Sequence, residues 1–214
     1  IAVWTENQTQ GRGRMGTKWH ALPKLNLTGS VYVENISTKH QPVFNLNKQV
    51  CLALVDTLLP YKIPDVCIKW PNDILSGNKK IAGVLIEPIM RGKKMTGVVV
   101  GCGVNVNQEK FPDLPFASSI KNLTKQTIGV ETLFESLVKN IVAAVQSEQV
   151  NHQRYLESLY KINKTCLFTS KDGTSFTATI KGITEEGKLK LLHENGSEVA
   201  YEEKAIAFTA FVRS

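Results

Sequence analysis

Apolar runs of strand length open the chain: IAVWTE (1–6), LTGSVYVEN (27–35), VCIKW (66–70), KIAGVLIEPIM (80–90) and MTGVVVGCGVNV (95–106). Gly, Asn and Lys fill the short connections SGNKK (76–80) and RGKK (91–94), which is the spacing of antiparallel hairpins. A mixed or antiparallel sheet is therefore predicted. Between strands, Phe44, Leu46, Val50, Cys51, Leu54, Val55 and Leu58 recur at roughly helical spacing until Pro60 and Pro64 end the segment, so one helix is predicted to pack on the sheet. Thr132 followed by Glu135 reads as a capping box that starts a second helix, with Leu133, Leu137, Val138, Ile141, Val142 and Val145 as its buried stripe. The polar stretch SEQVNHQR leaves two readings open before Tyr155, Leu156, Leu159 and Tyr160 resume the apolar pattern: one continuous helix, or helix–turn–helix.

From about Lys164 the texture changes to short alternating runs punctuated by KDG (171–173), EEG (185–187) and ENG (194–196), residues that tolerate the left-handed torsions of tight hairpin turns. The expectation is an α+β chain in two parts, residues 1–163 with the sheet and helices and residues 164–214 as a small β-barrel of the SH3 size class.

With 42% hydrophobic and 21% charged residues, neither disorder nor a fibrous repeat is expected. No apolar run reaches the ~18–20 residues that a membrane-spanning helix requires, and the start IAVWTEN lacks the layout of a signal peptide, so a soluble, cytoplasmic protein is expected. The excess of 26 Lys and Arg over 19 Asp and Glu gives +7, which favours anionic partners without choosing among them. Cys51, Cys67, Cys102 and Cys166 lie far apart with no C-x-x-C and read as reduced core thiols, while His20, His40, His152 and His193 form no H-x-x-x-H pair. A zinc enzyme is not expected.

Segments with chemical character fall in the first half. Gly11-Arg12-Gly13-Arg14-Met15-Gly16 matches G-x-G-x-x-G formally, yet Gly16 is followed by Pro23 and a β-branched run where a dinucleotide site needs a helix. What remains is a glycine loop carrying Arg12, Arg14 and Lys18, suited to a carboxylate or phosphate, to an RNA backbone, or to no ligand as a solvated turn. Lys69-Trp70-Pro71-Asn72-Asp73 places two polar side chains at a strand end, either a site or an Asx turn. Lys80-Ile81-Ala82-Gly83 opens a strand with a cation and a glycine, marking a bulge or a close approach. In Gly101-Cys102-Gly103-Val104-Asn105-Val106-Asn107, alternation puts Asn105 and Asn107 on one face, as ligand amides or as turn formers.

In this order, over residues 8–107, these segments resemble the biotin protein ligases, whose marks are G-R-G-R-x-G-x-x-W, K-W-P-N-D, K-[IL]-A-G-[IV]-L-[IV]-E and G-x-G-[IV]-N-[VM]-N. The resemblance implies a class II synthetase-like catalytic fold followed by an SH3-like barrel. It also implies formation of biotinyl-5'-AMP from biotin and ATP, then transfer of biotin to a lysine of a biotin carboxyl carrier protein domain. Position by position it implies Gln8, Gly11, Arg12, Gly13, Arg14, Lys80 and Gly83 around biotin, and Arg14, Lys18, Trp19, Trp70, Asn72, Asn105 and Asn107 around ATP. Lys80, Arg14 and Asp73 are the implied catalytic set, with Asp73 as the candidate Mg²⁺ ligand or proton acceptor. Many relatives carry Arg where this chain has Thr17, a role reassigned to Lys18, and the family's S-T-N-x-x-L segment would precede Ile1. With no winged-helix segment in view, a monofunctional ligase without DNA binding is expected, and a homodimer through sheet edges is an option. The alternatives are a lipoate ligase-like acyltransferase and a basic nucleic-acid-binding protein, the latter short of aromatics for base stacking at 7% Phe, Trp and Tyr.

Overall fold

The computed structural model describes residues 1–34, 36, 43–92 and 94–211. Asn35 of the second apolar run, His40 and Lys93 of the RGKK turn lie outside the described residues.

Strands β1 (Ala2–Trp4), β2 (Leu27–Glu34), β3 (Val66–Lys69), β4 (Asp73–Ser76), β5 (Lys79–Arg91) and β6 (Lys94–Val104) form a six-stranded sheet in the order β1-β2-β6-β5-β4-β3. Every ladder in it is antiparallel. The short β4 was not among the predicted runs, because Asn72-Asp73 reads as a turn; it pairs both β3 and β5 and makes KWPND a hairpin corner. On β6 the period of two separates Val98, Val100, Cys102 and Val104, all buried, from Gly97, Gly101 and Gly103 on the other face. At Gly101 and Gly103 that other face is bare backbone and floors the cleft, while Val99 carries a side chain between them and Gly97.

Helix α1 (Phe44–Leu58) matches the predicted segment and packs on α3 (Val130–Gln146), and the two cover the apolar face of the sheet. The expected capping box does not form. Asn107 exchanges hydrogen bonds with the backbone of Ile128 (2.8 and 2.9 Å), fixing the approach so that α3 starts at Val130 behind Gly129, and Thr132 falls inside the first turn. Of the two readings of the SEQVNHQR stretch, helix–turn–helix is observed: α3 stops at Gln146 and α4 spans His152–Glu157. Gln49 of α1 holds the break, bonding the carbonyl of Gln149 and accepting from the amide of Asn151. A further short helix, α2 (Ile120–Thr124), is capped by the Ser119 side chain.

Beyond α4, β7 (Thr165–Ser170), β8 (Ser175–Ile183), β9 (Leu189–His193), β10 (Glu198–Tyr201) and β11 (Ile206–Phe208) form a second antiparallel sheet, ordered β10-β9-β8-β7-β11. The predicted turns at 171–173, 185–187 and 194–196 join its hairpins. Among the described residues no ladder pairs β10 with β11, so the observation is a five-stranded sheet; closure into a barrel goes beyond these ladders.

The two sheets share one continuous core, from Leu27 through Tyr155 to Phe168 and Phe208. Trp70 is 6% exposed, and its indole N–H donates to the Gly187 carbonyl at 2.7 Å. The residue assigned to ATP by resemblance is thus a core side chain pinning the first sheet to the second. Trp70→Phe keeps the ring but strands that carbonyl, a loss expected to cost about 1–3 kcal/mol. An unchanged urea midpoint would contradict this bracing role.

Candidate functional site

The glycine-rich floor of the first sheet opens into a cleft of about 440 Å³ whose walls include Gln8, Arg12, Gly13, Arg14, Asn72, Asp73, Lys80 and Gly83. Arg14 and Lys80, from segments far apart in sequence, thus face one cavity. A second lobe of about 270 Å³ adjoins it, sharing Lys18, Trp19, Lys69, Asp73 and Lys80. Its remaining wall is largely apolar: Leu75, Phe111, Leu114, Pro115, Phe116, Ala117 and Phe211.

At the boundary between the lobes, Lys80 Nζ lies 2.6 Å from one Asp73 oxygen and Lys69 Nζ lies 3.8 Å from the other. A β-bulge aims Lys80 there. Asp73 pairs with Gly83 and Ile74 with Ala82, but Leu75 pairs with Lys80, so Ile81 is the extra residue of β5. Lys80 and Gly83 are an odd number of residues apart and would face opposite sides of a regular strand; the bulge turns both toward the cleft, where a Cβ on Gly83 would lie 3.4 Å from Lys80 Nζ. The backbone freed by the bulge is fully used. Lys80 N–H donates to the Phe116 carbonyl (2.6 Å), and the Lys80 carbonyl accepts from Ser118 N–H (3.0 Å). The same irregularity therefore aims the cation and anchors the apolar wall at 111–117.

Around Gly11–Gly16 the loop closes on itself through Gly13 N–H to Thr17 O (2.7 Å) and Trp19 N–H to Gly11 O (3.0 Å). Gly11 is required by space, since a Cβ would fall 2.4 Å from the Trp19 carbonyl oxygen. No helix opens after Gly16; a single 3-10 turn, Arg14–Gly16, takes its place, with Met15 at φ 49°. The Trp19 indole then lies against Gly103, whose added Cβ would meet the ring at 2.4 Å, and the Lys80 ammonium sits 5.5 Å from the ring centroid. Trp19 Nε1 is buried without a partner, a free donor in the wall between the lobes.

The asparagines separate by role. Asn72 lines the larger lobe while its amide is bonded to the Val84 carbonyl. Asn105 is buried against the second lobe and donates to Ser118 O at 2.9 Å, bracing the apolar wall. Asn107 lines neither lobe, because both ends of its amide are spent on Ile128. Trp70 also lies outside both lobes.

Asp73 does not fit a resident Mg²⁺ site. Both of its oxygens face ammonium groups, and no group of three or more His, Cys, Asp or Glu suited to a metal occurs among the described residues. Burial lowers the pKa of Lys69, opposed by the Asp73 carboxylate, and the ammonium rests 4.8 Å from the Phe211 ring centroid. The four cysteines are free, but only Cys51 and Cys102 are buried; burial pushes the Cys102 thiol to about 12, too high for a nucleophile. Glu203, Lys204 and the aromatic residues Phe111, Phe116 and Phe211 carry no signal in the sequence, and Lys69 appears there only as the head of KWPND, with no role of its own. FPDLPF carries no motif of its own and joins the site only through the bonds of Lys80 to Phe116 and Ser118.

Gly103→Ala is expected to unseat Trp19 without unfolding the chain. A changed Trp19 fluorescence signal, read in a background with Trp4 and Trp70 replaced by Phe, checks this; an identical spectrum would contradict the stacking.

Residues 1–105 match the model of the biotin/lipoate A/B protein ligase family. The chain is 35% identical over 210 residues to the bifunctional ligase/repressor BirA of Bacillus spizizenii, an alignment covering 93% of this chain and 63% of that protein. It is 33% identical over 126 residues to the biotin–[acetyl-CoA-carboxylase] ligase of Mycobacterium tuberculosis, covering 58% of this chain and 46% of the other. The chain thus spans less than two thirds of the length of these relatives. Among solved structures, the biotin protein ligase from Aquifex aeolicus in complex with biotin and ATP superposes with a TM-score of 0.77 at 21% identity, covering 96% of this chain and 87% of that one; the likeness is one of fold.

Proposed function

We propose that this chain, whose residues 1–105 match the biotin/lipoate A/B protein ligase family model, is a biotin protein ligase, joining biotin to AMP and then to a lysine of a carrier protein domain. The observation that carries this reading is the two-lobed cleft with Lys80 at the shared boundary, because a reaction between two anions needs two pockets and a cation where they meet.

In this reading biotin occupies the larger lobe, near Gln8, Arg12 and Gly13 over the glycine floor. The adenine base lies against the aromatic wall of the smaller lobe, Phe111, Phe116 and Phe211. A biotin carboxylate oxygen attacks the α-phosphorus, the bond to the bridging oxygen breaks, and pyrophosphate leaves with its electron pair. Lys80 and Arg14 offset the charge gathering on the transferred phosphoryl group. Mg²⁺ arrives on the triphosphate as part of the nucleotide substrate.

The acceptor amine then attacks the acyl carbon, AMP departs, and the amine sheds a proton. Asp73, the carboxylate nearest Lys80, is positioned to accept it once ligand phosphate has drawn Lys80 away. Holding the acyl-adenylate beside a docked lysine replaces a dilute encounter, an effect reaching about 7–11 kcal/mol in ideal cases. The division into a catalytic part, 1–163, and an SH3-sized part, 164–214, belongs to the same proposal, as does a cytoplasmic location suited to the four free thiols. No described helix is long and apolar enough to cross a membrane.

Pyrophosphate exchange into ATP tests the activity directly. Exchange that depends on biotin is expected; dependence on lipoate would move the assignment to a lipoate ligase, and exchange with neither acid would defeat it. Lys80→Ala is expected to reduce adenylate formation by on the order of 10²–10³-fold with the fold intact, and near-normal exchange would remove Lys80 from its role. Arg14→Gly is expected to release free biotinyl-AMP, and release equal to that of the unaltered chain would contradict retention by the loop.

A further inference from the structure

Residues 14–16 bury no side chain, and Met15 and Gly16 both adopt positive φ, 49° and 81°. Local packing does not hold this turn in place. Its outward anchors both come from the bend between β10 and β11. Arg14 donates to Glu203 from Nε (3.0 Å) and Nη2 (2.5 Å), and Lys204 Nζ donates to the Met15 carbonyl at 2.9 Å. Arg14 and Glu203 lie 189 residues apart in sequence, and their side chains are only 29% and 22% exposed. Both Glu203 and Lys204 also line the larger lobe of the cleft.

The geometry of the pair is directional. A guanidinium is a rigid planar fork, and a carboxylate gripping its Nε–Nη2 edge fixes the plane while leaving the Nη1 hydrogens for another acceptor. Among the described residues Glu203 alone accepts from the Arg14 head group, whereas Lys204 fixes the backbone one residue later.

We propose that Glu203 and Lys204 are the positioning residues of the Gly-Arg loop, so that the C-terminal sheet holds Arg14 over the cleft and sets how long an activated intermediate is retained. The part concerning the intermediate rests on the ligase reading above; the part concerning the loop does not. Glu203 acts only through Arg14 and touches no reacting atom.

Two measurements on the full chain separate these parts. The first is amide hydrogen exchange over residues 11–19 without biotin or ATP, so its result stands even if biotin-dependent pyrophosphate exchange fails. Glu203→Gln is expected to speed exchange there by about tenfold, the loss of a charge-assisted pair, with β6 unchanged. Glu203→Asp is expected to keep most of the protection. Unaltered exchange over 11–19 in Glu203→Gln would overturn the proposal. Should that variant exchange faster throughout, Lys204→Met supplies the same test: faster exchange confined to 11–19 supports the anchor, and no change there overturns it. The second measurement is free biotinyl-AMP released per biotin transferred. Glu203→Gln is expected to raise this ratio alone, yet to add nothing in an Arg14→Gly background. Effects that multiply in the double variant would show that Glu203 acts independently of Arg14 and would overturn its positioning role.

Discussion

The ion pair between Asp73 and Lys80 depends on a one-residue irregularity in a hairpin, and the site is assembled around it. Without the extra residue Ile81, Lys80 and Gly83 would point to opposite faces of the sheet. With it, two consecutive apolar side chains, Ile81 and Ala82, go into the core while Lys80 and Gly83 both turn to the cleft. The backbone groups displaced from the ladder are taken by Phe116 and Ser118, which brings in the aromatic wall of the second lobe. Position of the cation, room beside it and the apolar pocket next to it therefore share one cause.

Three cations of the cleft are held in reserve by internal partners: Lys80 and Lys69 by Asp73, and Arg14 by Glu203. Each pair is partly exposed, so the gain in stability from any one is small. The functional consequence is larger, because each ammonium or guanidinium is already oriented, and an entering phosphate or carboxylate meets fixed donors instead of mobile side chains. The core extends the same logic. Trp70 and the Phe208–Phe211 segment tie the second sheet to the first, so residues 203–211 reach the cleft without belonging to the sheet that floors it.

Periodicity made α1, the β6 run and the C-terminal hairpin turns legible in the sequence, since each rests on local torsions and one buried face. The loop at 11–19 was legible as an anion-binding candidate and not as a Rossmann turn, because no helical pattern comes after Gly16. Misreadings came where a residue's partner is distant. Trp70 and Asn107 look like ligand contacts in a motif, but one is bonded to Gly187 and the other to Ile128. Thr132 looks like a cap until Asn107 moves the helix start upstream. Glu203 carried no signal because its partner Arg14 lies at the opposite end of the chain.

A crystal structure of this chain with a non-hydrolysable biotinyl-adenylate analogue tests the shared-boundary claim most directly. One molecule is expected to span both lobes, its acyl–phosphate linkage within about 3 Å of Lys80 Nζ and its base against the aromatic wall. An analogue bound away from Lys80, with the ammonium still on Asp73 and either lobe unentered, would contradict it.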